Sequence, residues 1–289
     1  MSMQRQYRFA GVEYAIVAEP DVIFDQECTL APFRVDSNSN PHYIRIEKVD
    51  QLPPPEGERI AQEPALLVYS NGVAQMRYFG SVGVGWRGAY LCARHEGMEH
   101  RVFVRKDIFP GRIGVKTVLE AMEAVHLIAR AGGFVFHCSY IEWQGRAVLF
   151  TAPSETGKST QASLWNRFRG TEIINGDRAA VRVTADAILA EGIPFSGSSV
   201  FCENRSLPLA AVVYLAQAPV TSIRQLRGYE AFAKIWEGCS VNTWDREDMD
   251  RVSEAVRTVA QKVPIFYMPC RPDESAVIAL ENALKEVGR

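Results

Sequence analysis

The sequence predicts a C-terminal α/β domain with a mixed sheet and a phosphate-binding loop, preceded by a β-rich N-terminal domain that is either all-β or α+β. Up to about residue 108, apolar and polar residues alternate between turn signals. After Pro110-Gly111, segments with helical spacing alternate with short apolar strands, which is typical of a layered α/β fold. We therefore expect two domains, residues 1–108 and residues 109–289.

The N-terminal domain is expected to be built from strands and hairpins. Strand-like alternation covers 42–49, 66–79, 88–96 and 100–107. Within the second of these runs, Asn71-Gly72 separates two apolar stretches, which predicts a hairpin with a type I′ turn. The prolines of "QLPPPEGE" (51–58) indicate a surface loop, because proline cannot donate a ladder hydrogen bond.

The C-terminal domain is expected to alternate strands and helices. A helix is predicted over 116–133, with Gly132-Gly133 as its stop, followed by a single strand, "FVFHCSYIEW" (134–143). Further strands are predicted near 147–153, 171–175, 179–184, 187–192, 210–217 and 264–269. Further helices are predicted near 158–168, 229–238, 247–262 and from about 273.

Composition excludes several classes of function. A net charge of −2 argues against a nucleic-acid-binding protein, which usually carries a basic excess. The start of the chain has no apolar signal segment and no run is long enough to span a membrane, so we expect a soluble, cytoplasmic protein. The six cysteines form no C-x-x-C pair and predict reduced thiols. The five histidines form no H-E-x-x-H or H-x-H group, so we expect no metal site built on histidines.

The segment "APSETGKST" (152–160) predicts a nucleotide phosphate site. It follows the apolar strand "RAVLF" and precedes a predicted helix, the context in which loop N–H groups and a helix start bind phosphates. Lys158 would reach the β- and γ-phosphates and Ser159 would ligate Mg²⁺. The residues expected to bind the nucleotide are Ser154, Glu155, Thr156, Gly157, Lys158, Ser159 and Thr160. The alternative is an ordinary strand-to-helix turn, because Ala152 stands where the usual pattern has glycine.

An acidic residue is expected beside this loop. Asp177 follows the apolar strand "TEIIN" (171–175), and a carboxylate there can hold Mg²⁺ or accept a proton from a substrate hydroxyl. Asp177 and Ser159 are therefore the candidate metal ligands. The alternative for Asp177 is a common Gly-Asp turn. Glu155, a second carboxylate in the loop itself, is either an acid/base or Mg²⁺-binding group or a solvent-exposed side chain.

The order of these motifs resembles the HPr serine kinase/phosphorylase family, which shares its core with ATP-dependent phosphoenolpyruvate carboxykinases. The matching residues read "HCSYIEW…AVLFTAPSETGKS…EIINGD…PFSGSSVFCENR". The resemblance covers the C-terminal 60% or so of the chain and implies a P-loop kinase fold. One departure is Gly176, which stands where the family has the first aspartate of a pair, leaving Asp177 alone.

The resemblance also implies roles for side chains outside the loop. His137 would face the nucleotide pocket and assist the transferred phosphate or the base, whereas a core histidine is the alternative. Arg205 would lie against the transferred phosphate, with Ser198 and Ser199 near it, and a solvated surface loop is the alternative. Arg178 is a second cationic candidate. The catalytic set predicted in this way is Asp177, His137 and Arg205.

These observations predict an ATP- and Mg²⁺-dependent kinase that transfers the γ-phosphoryl group to a hydroxyl, with serine favoured, on a protein, peptide or small molecule. The N-terminal domain would contribute to recognition of this acceptor, and related kinases suggest a homo-oligomer. No nucleic acid or membrane partner is expected. The alternatives are a degenerate kinase that binds nucleotide as an adaptor without catalysis, and a carboxykinase-type phosphotransferase.

Overall fold

The computed structural model describes residues 2–23, 29–36, 40–80, 83, 85–108, 113–195 and 201–287. The chain divides into two compact units, Met1–Ala124 and Val125–Arg289. The predicted boundary signal, Pro110-Gly111, lies outside the described residues.

The first unit contains a nine-stranded mixed sheet with the order β3-β1-β2-β4-β9-β8-β7-β6-β5. Its strands are β1 Met3–Phe9, β2 Val12–Ala18, β3 Arg34–Val35, β4 His42–Val49, β5 Glu58–Glu63, β6 Leu66–Ser70, β7 Gln75–Phe79, β8 Leu91–Glu96 and β9 Glu99–Arg105. The pairs β2–β4 and β4–β9 are parallel, and the other neighbours are antiparallel. This unit also contains the short helix α1 (Pro20–Ile23), helix α2 (Val115–Ala121) and two 3-10 helices at Ala31–Phe33 and Trp86–Gly88.

The hairpin predicted at Asn71-Gly72 is confirmed, but its turn type was wrong. Strands β6 and β7 pair from Ser70 and Gln75 outward, so four residues connect them. A type I′ turn needs positive φ at both central residues, and of this dipeptide only Gly72 has it, at +82°. The Asn71 side chain instead accepts hydrogen bonds from the N–H groups of Val73 (2.9 Å) and Ala74 (2.7 Å), which closes a wider loop.

The single helix predicted over 116–133 is wrong, because the structure divides it into α2 and α3 (Ala124–Arg130). Glu123, between the two, adopts the left-handed conformation with φ +57°, which an α-helix cannot continue through. Its side chain is buried in an ion pair with Arg77. A long-range contact therefore overrides the local helical pattern, while the predicted stop at Gly132 (φ +82°) is confirmed.

The second unit is built on a ten-stranded mixed sheet with helices on both faces. Its strands are β10 Gly133–His137, β11 Ser139–Trp143, β12 Arg146–Thr151, β13 Ile173–Asn175, β14 Arg178–Val183, β15 Ile188–Gly192, β16 Ser206–Gln217, β17 Arg224–Leu226, β18 Cys239–Ser240 and β19 Ile265–Cys270. Its further helices are α4 Lys158–Arg169, α5 Gly228–Trp236, α6 Arg246–Lys262 and α7 Glu274–Val287. The main order is β13-β11-β12-β16-β15-β14-β10-β18, and β19 joins β16 and β17.

Two apolar layers enclose this sheet. Val148 and Phe150 of β12 pack in one cluster with α4 and α7, whereas Leu149 packs in another with α5 and α6. Alternate residues of a strand point to opposite faces, so the continuous apolar run of β12 serves both layers. The prediction of an α/β unit with a mixed sheet is confirmed, and both units contain mixed sheets.

The strand predicted over 134–143 is two strands, β10 and β11, separated at Cys138. Strand β10 pairs with β14, whereas β11 pairs with β12 and β13. Cys138 donates its N–H to the carbonyl of Asp177 (3.0 Å), between β13 and β14. The chain therefore changes pairing partners between β10 and β11, and again between β13 and β14, and the Cys138–Asp177 hydrogen bond joins these two points. His137 and Asp177 lie at this strand crossing.

Two further sequence expectations concern the whole chain. In the part of the chain that the structure describes, no helix is long and apolar enough to cross a membrane. Among the described residues, the cysteines without a disulfide are Cys92, Cys138, Cys202, Cys239 and Cys270.

Candidate active site

The loop after β12 has a backbone suited to binding an anion. Glu155 (φ +63°) and Gly157 (φ +119°) both adopt left-handed backbone conformations. Alternation of such residues turns successive N–H groups toward one side of the chain, forming a concave anion site. Glycine at position 157 is required by its φ rather than by space, since a Cβ there would meet its nearest neighbour, Thr160, only at 4.0 Å.

Helix α4 begins at Lys158, directly after this loop. Gly157 is its N-cap, and no side-chain hydrogen bond caps the helix start. The first N–H groups of a helix have no partner within the helix, and the helix dipole places partial positive charge there. The start of α4 therefore offers hydrogen-bond donors and a favourable field to an anion.

Lys158 is folded across the loop. Only 8% of the residue is exposed, and its Nζ donates to the carbonyl oxygens of Ala152 (3.1 Å) and Pro153 (3.3 Å). Burial lowers the pKa of Lys158 below its ordinary value, and the carboxylate of Asp177 opposes this shift. The ammonium group is thus placed among loop carbonyl groups that a bound anion could replace as partners.

Asp177 is positioned by a buried asparagine that the sequence analysis did not single out. The Asn175 side-chain Oδ1 accepts hydrogen bonds from the N–H groups of Asp177 (3.0 Å) and Arg178 (3.2 Å). Its Nδ2 donates to the carbonyl of Ile193 (2.8 Å), and the residue is completely buried. The Asn-Gly dipeptide in "INGD" was a turn signal, but the partner on a distant segment could not be read from it.

His137 and Asp177 approach each other at the strand crossing. His137 Nε2 lies 3.5 Å from Asp177 Oδ1, and Arg178 Nε lies 3.6 Å from Asp177 Oδ2. The backbone of His137 is held by the Thr151 hydroxyl, which donates to its carbonyl (3.0 Å), and by its own N–H bond to Gly238 (2.8 Å). Thr151 is the last residue of β12, so His137 is tied directly to the base of the loop.

The loop, the helix start and the His137–Asp177 pair open onto one cavity of about 630 Å³. Six of the predicted site residues line this cavity. These are Ser154, Glu155, Lys158, Ser159, His137 and Asp177, and Gly176 also lines the cavity, together with Ser139, Ala162, Ser163, Ile173 and Phe201, which the sequence analysis missed. Its volume is within the range of small-molecule sites.

A second cavity of about 570 Å³ lies on the other flank of the loop. Glu155, Thr156, Gly157 and Thr160 line it, so the predicted nucleotide-binding residues all border one of the two cavities. Glu155 borders both and is exposed, and its own carbonyl accepts a hydrogen bond from Gln217 (3.4 Å). The loop therefore separates two spaces of similar size.

Arg205 is engaged away from this cavity. Its guanidinium forms ion pairs with Glu142 and Glu172, and it is not among the described residues that line the cavity. Arg178, the other cationic candidate, lies beside Asp177, with its guanidinium 5.3 Å from the centre of the Phe195 ring. Ser198 and Ser199 lie outside the described residues.

Comparisons with known proteins give one family. A family model described as SynChlorMet cassette protein ScmC matches residues 111–271, which is more than half of the chain. Among curated proteins, none matches this chain. A solved structure, "Structure of the Hpr(Ser) kinase/phosphatase from Coxiella burnetii", is similar over 54% of this chain and 99% of its own length, with 10% identity and a TM-score of 0.34. A likeness at this level carries no inference about activity.

Proposed function

This chain belongs to the family of the SynChlorMet cassette protein ScmC, and we propose that it is an ATP- and Mg²⁺-dependent kinase that transfers the γ-phosphoryl group to a hydroxyl. The observation that carries the proposal is the shared cavity. Lys158, at the start of an uncapped helix, lines the same space as the Asp177–His137 pair. Phosphoryl transfer needs mainly positioning and charge stabilisation, and these groups can supply both.

The residues present fit a nucleoside triphosphate and its metal. The left-handed residues of the loop and the free N–H groups of α4 suit phosphate oxygens, and Lys158 adds a cation. The Ser159 hydroxyl and the Asp177 carboxylate border the same cavity and are oxygen ligands of the kind that Mg²⁺ prefers. ATP would supply the phosphoryl group, and Mg²⁺ would offset its charge.

Asp177 would also orient the acceptor hydroxyl and take its proton. It is partly exposed, so a substrate can reach it, and Asn175 fixes the backbone that carries it. His137 Nε2, at 3.5 Å, is too distant for a normal hydrogen bond but close enough to share a proton after a small movement. Arg205 would act on the transferred group only by releasing Glu142 or Glu172.

A second candidate is a nucleotide-binding module without catalysis. Gly176 leaves one carboxylate where the resembled kinases have two, and Arg205 is already paired. This candidate binds MgATP as the kinase does but releases no phosphate from it. The two proposals therefore differ in turnover and agree in binding.

Thermal unfolding with and without MgATP tests the proposal. A ligand at 100 times its Kd adds about 2.7 kcal/mol to the free energy of unfolding, so we expect a clear rise in Tm. Lys158→Ala should remove most of this rise, whereas Lys262→Ala, which changes an exposed lysine on α6, should keep it. An equal rise in both variants would place the nucleotide elsewhere. Release of inorganic phosphate then distinguishes the kinase from the module.

A further inference from the structure

A row of three imidazoles, two of them buried, crosses one face of the sheet in the first unit. His100 on β9 pairs directly across the strands with His95 on β8, and with Ile44 on β4 on its other side. Cross-strand partners share a face of the sheet, and His42 lies two residues before Ile44, so it shares that face as well. His95 is 5% exposed and His100 is 1% exposed. Buried polar side chains are costly unless their hydrogen bonds or ligands are supplied.

Three ligand atoms converge at this row. His95 Nδ1 lies 2.7 Å from His100 Nδ1 and 3.7 Å from Glu123 Oε2, and all three atoms lie within 4.8 Å of one another. Ligands bound at about 2.0–2.1 Å around a tetrahedral zinc ion lie roughly 3.3–3.4 Å apart. The two observed separations fall on either side of this value, and the third, between His100 Nδ1 and Glu123 Oε2, is at most 4.8 Å, so all three lie within about 1.5 Å of the tetrahedral spacing.

Two of these side chains, His100 and Glu123, make outer contacts through the atom that is not part of the convergence. His100 Nε2 lies 3.1 Å from His42 Nδ1, and Glu123 Oε1 lies 2.5 Å from a guanidinium nitrogen of Arg77. With a metal on Nδ1, His100 would donate its Nε2–H to His42, which fixes its tautomer. Outer partners of this kind orient metal ligands and are characteristic of metal centres.

Glu123 is brought to this place by a strained backbone. It has φ +57° at the break between α2 and α3, and the residue is buried. A left-handed conformation costs a non-glycine residue roughly 1–2 kcal/mol. The break directs a carboxylate against two histidines on the sheet, and strained residues of this kind cluster at functional sites.

We propose that His95, His100 and Glu123 bind a zinc ion in the first unit. Two imidazoles and one carboxylate are a common zinc ligand set, and such sites take water as a fourth ligand. The ion would tie the α2–α3 break to strands β8 and β9. The sequence analysis expected no site built on histidines, because the two ligands on the hairpin are five positions apart and the third lies on a distant helix break.

Metal content of the full-length protein tests this inference. After purification from zinc-supplemented medium and removal of loosely bound metal, we expect about one zinc per chain by plasma mass spectrometry. His95→Gln and Glu123→Gln should each abolish this content, and His42→Gln should weaken zinc binding by about 10–100-fold, since His42 orients a ligand without being one. His126→Gln is the matched control, because His126 lies in another histidine–carboxylate group, with Asp245 and Asp248, in the second unit.

Zinc-free native protein that takes up no zinc on titration would overturn the proposal and leave a metal-free hydrogen-bonded row. Loss of zinc in His126→Gln with retention in His95→Gln would also overturn it. Should the ligand variants fail to fold, the native protein loaded with Co²⁺ decides. Intense visible bands of tetrahedral cobalt with nitrogen and oxygen ligands are expected, and their absence contradicts the site.

Discussion

Cys138 donates its backbone N–H to the carbonyl of Asp177 at 3.0 Å, and this bond marks the point where two neighbouring segments change their sheet partners. His137 and Asp177 flank that point, which explains how residues from β10 and from the turn after β13 meet in one cavity. The site therefore depends on a topological crossing and not on a motif contained in one segment.

Asp177→Asn is expected to separate nucleotide binding from chemistry. The change keeps the size of the side chain but removes the charge needed to hold a metal and accept a proton. General-base contributions are about 10²–10⁴-fold in rate, so Mg²⁺-dependent ATP hydrolysis should fall by that order while the nucleotide still raises Tm. Asp186→Asn, in the exposed β14–β15 turn, is the control. Equal hydrolysis by Asp177→Asn and the native protein would reject Asp177 and leave Glu155 as the next candidate.

Asn175→Ala is expected to destabilise the turn that carries Asp177. The change removes the acceptor of two half-buried N–H groups, those of Asp177 and Arg178, and the Nδ2 donor to the buried Ile193 carbonyl, which keeps only a long contact from the Cys202 thiol. At about 1–3 kcal/mol for each unsatisfied buried group, the free energy of unfolding should fall by about 3 kcal/mol in urea titration. Asn166→Ala, which removes one hydrogen bond to Thr171 from an exposed position, should cost much less. Similar losses for the two variants would contradict this assignment.

Glu155→Gly is expected to stabilise the loop. Glu155 is exposed and adopts φ +63°, a conformation that costs non-glycine residues roughly 1–2 kcal/mol, partly offset by the greater entropy of glycine in the unfolded chain. The free energy of unfolding should therefore rise by about 0.5–1 kcal/mol. Ser154→Gly, at a neighbouring position without positive φ, should lower it. Retained ATP hydrolysis in Glu155→Gly would show in addition that this carboxylate is not the base.

Arg205→Gln tests whether the guanidinium of Arg205 contacts the transferred phosphate. Removal of one charge-stabilising group typically lowers turnover by about 10²–10³-fold, so hydrolysis should fall while the MgATP-induced rise in Tm remains. Glu172→Gln, which frees one side of the guanidinium, should not lower hydrolysis. Unchanged hydrolysis in Arg205→Gln would assign the residue to the Glu142–Glu172 ion pairs alone.

The lowered pKa of Lys158 predicts opposite effects of pH on binding and on stability. Phosphate binding needs the ammonium form, so MgATP affinity should decline at a lower pH than it would with an ordinary lysine. Without nucleotide, the unfolded chain binds more protons than the folded one between the lowered pKa and 10.5, so the free energy of unfolding should rise with pH across that interval. Calorimetric titration between pH 7 and 10 measures the first effect, and Lys158→Arg should abolish the decline. Affinity that is flat with pH in the native protein would contradict it.

Local patterns predicted the parts of this structure that depend on local chemistry. The strand before the loop and the helix at Lys158–Arg169 follow from an apolar run, a glycine and a helical spacing. Local patterns did not predict the helix break at Glu123, because its cause is an ion pair with Arg77 on a distant strand. The division at Cys138 was missed for the same reason, since pairing partners are chosen by the whole sheet.

The candidate site shows the same limit. Lys158, Ser159 and Asp177 were proposed as site residues because each follows a strand in the sequence, and the structure places all three around one cavity. Asn175 was not predicted as a positioning residue, since its role appears only when the Ile193 carbonyl is beside it. The pairing of Arg205 with Glu142 and Glu172 could not be foreseen either, because three separate segments supply the charges.

The long strand β16 has a consequence for native-state hydrogen exchange. It pairs with β12, β15 and β19, so its amide protons are covered along most of its length. Separation of β16 from these neighbours would divide the sheet in two. The amides of β16 should therefore exchange only through global unfolding of the unit. The exposed loop that follows β12 can open while the strands of the sheet stay paired. Local opening of the loop after β12 therefore does not require the strands beneath it to separate, and its amides should exchange faster than those of β16.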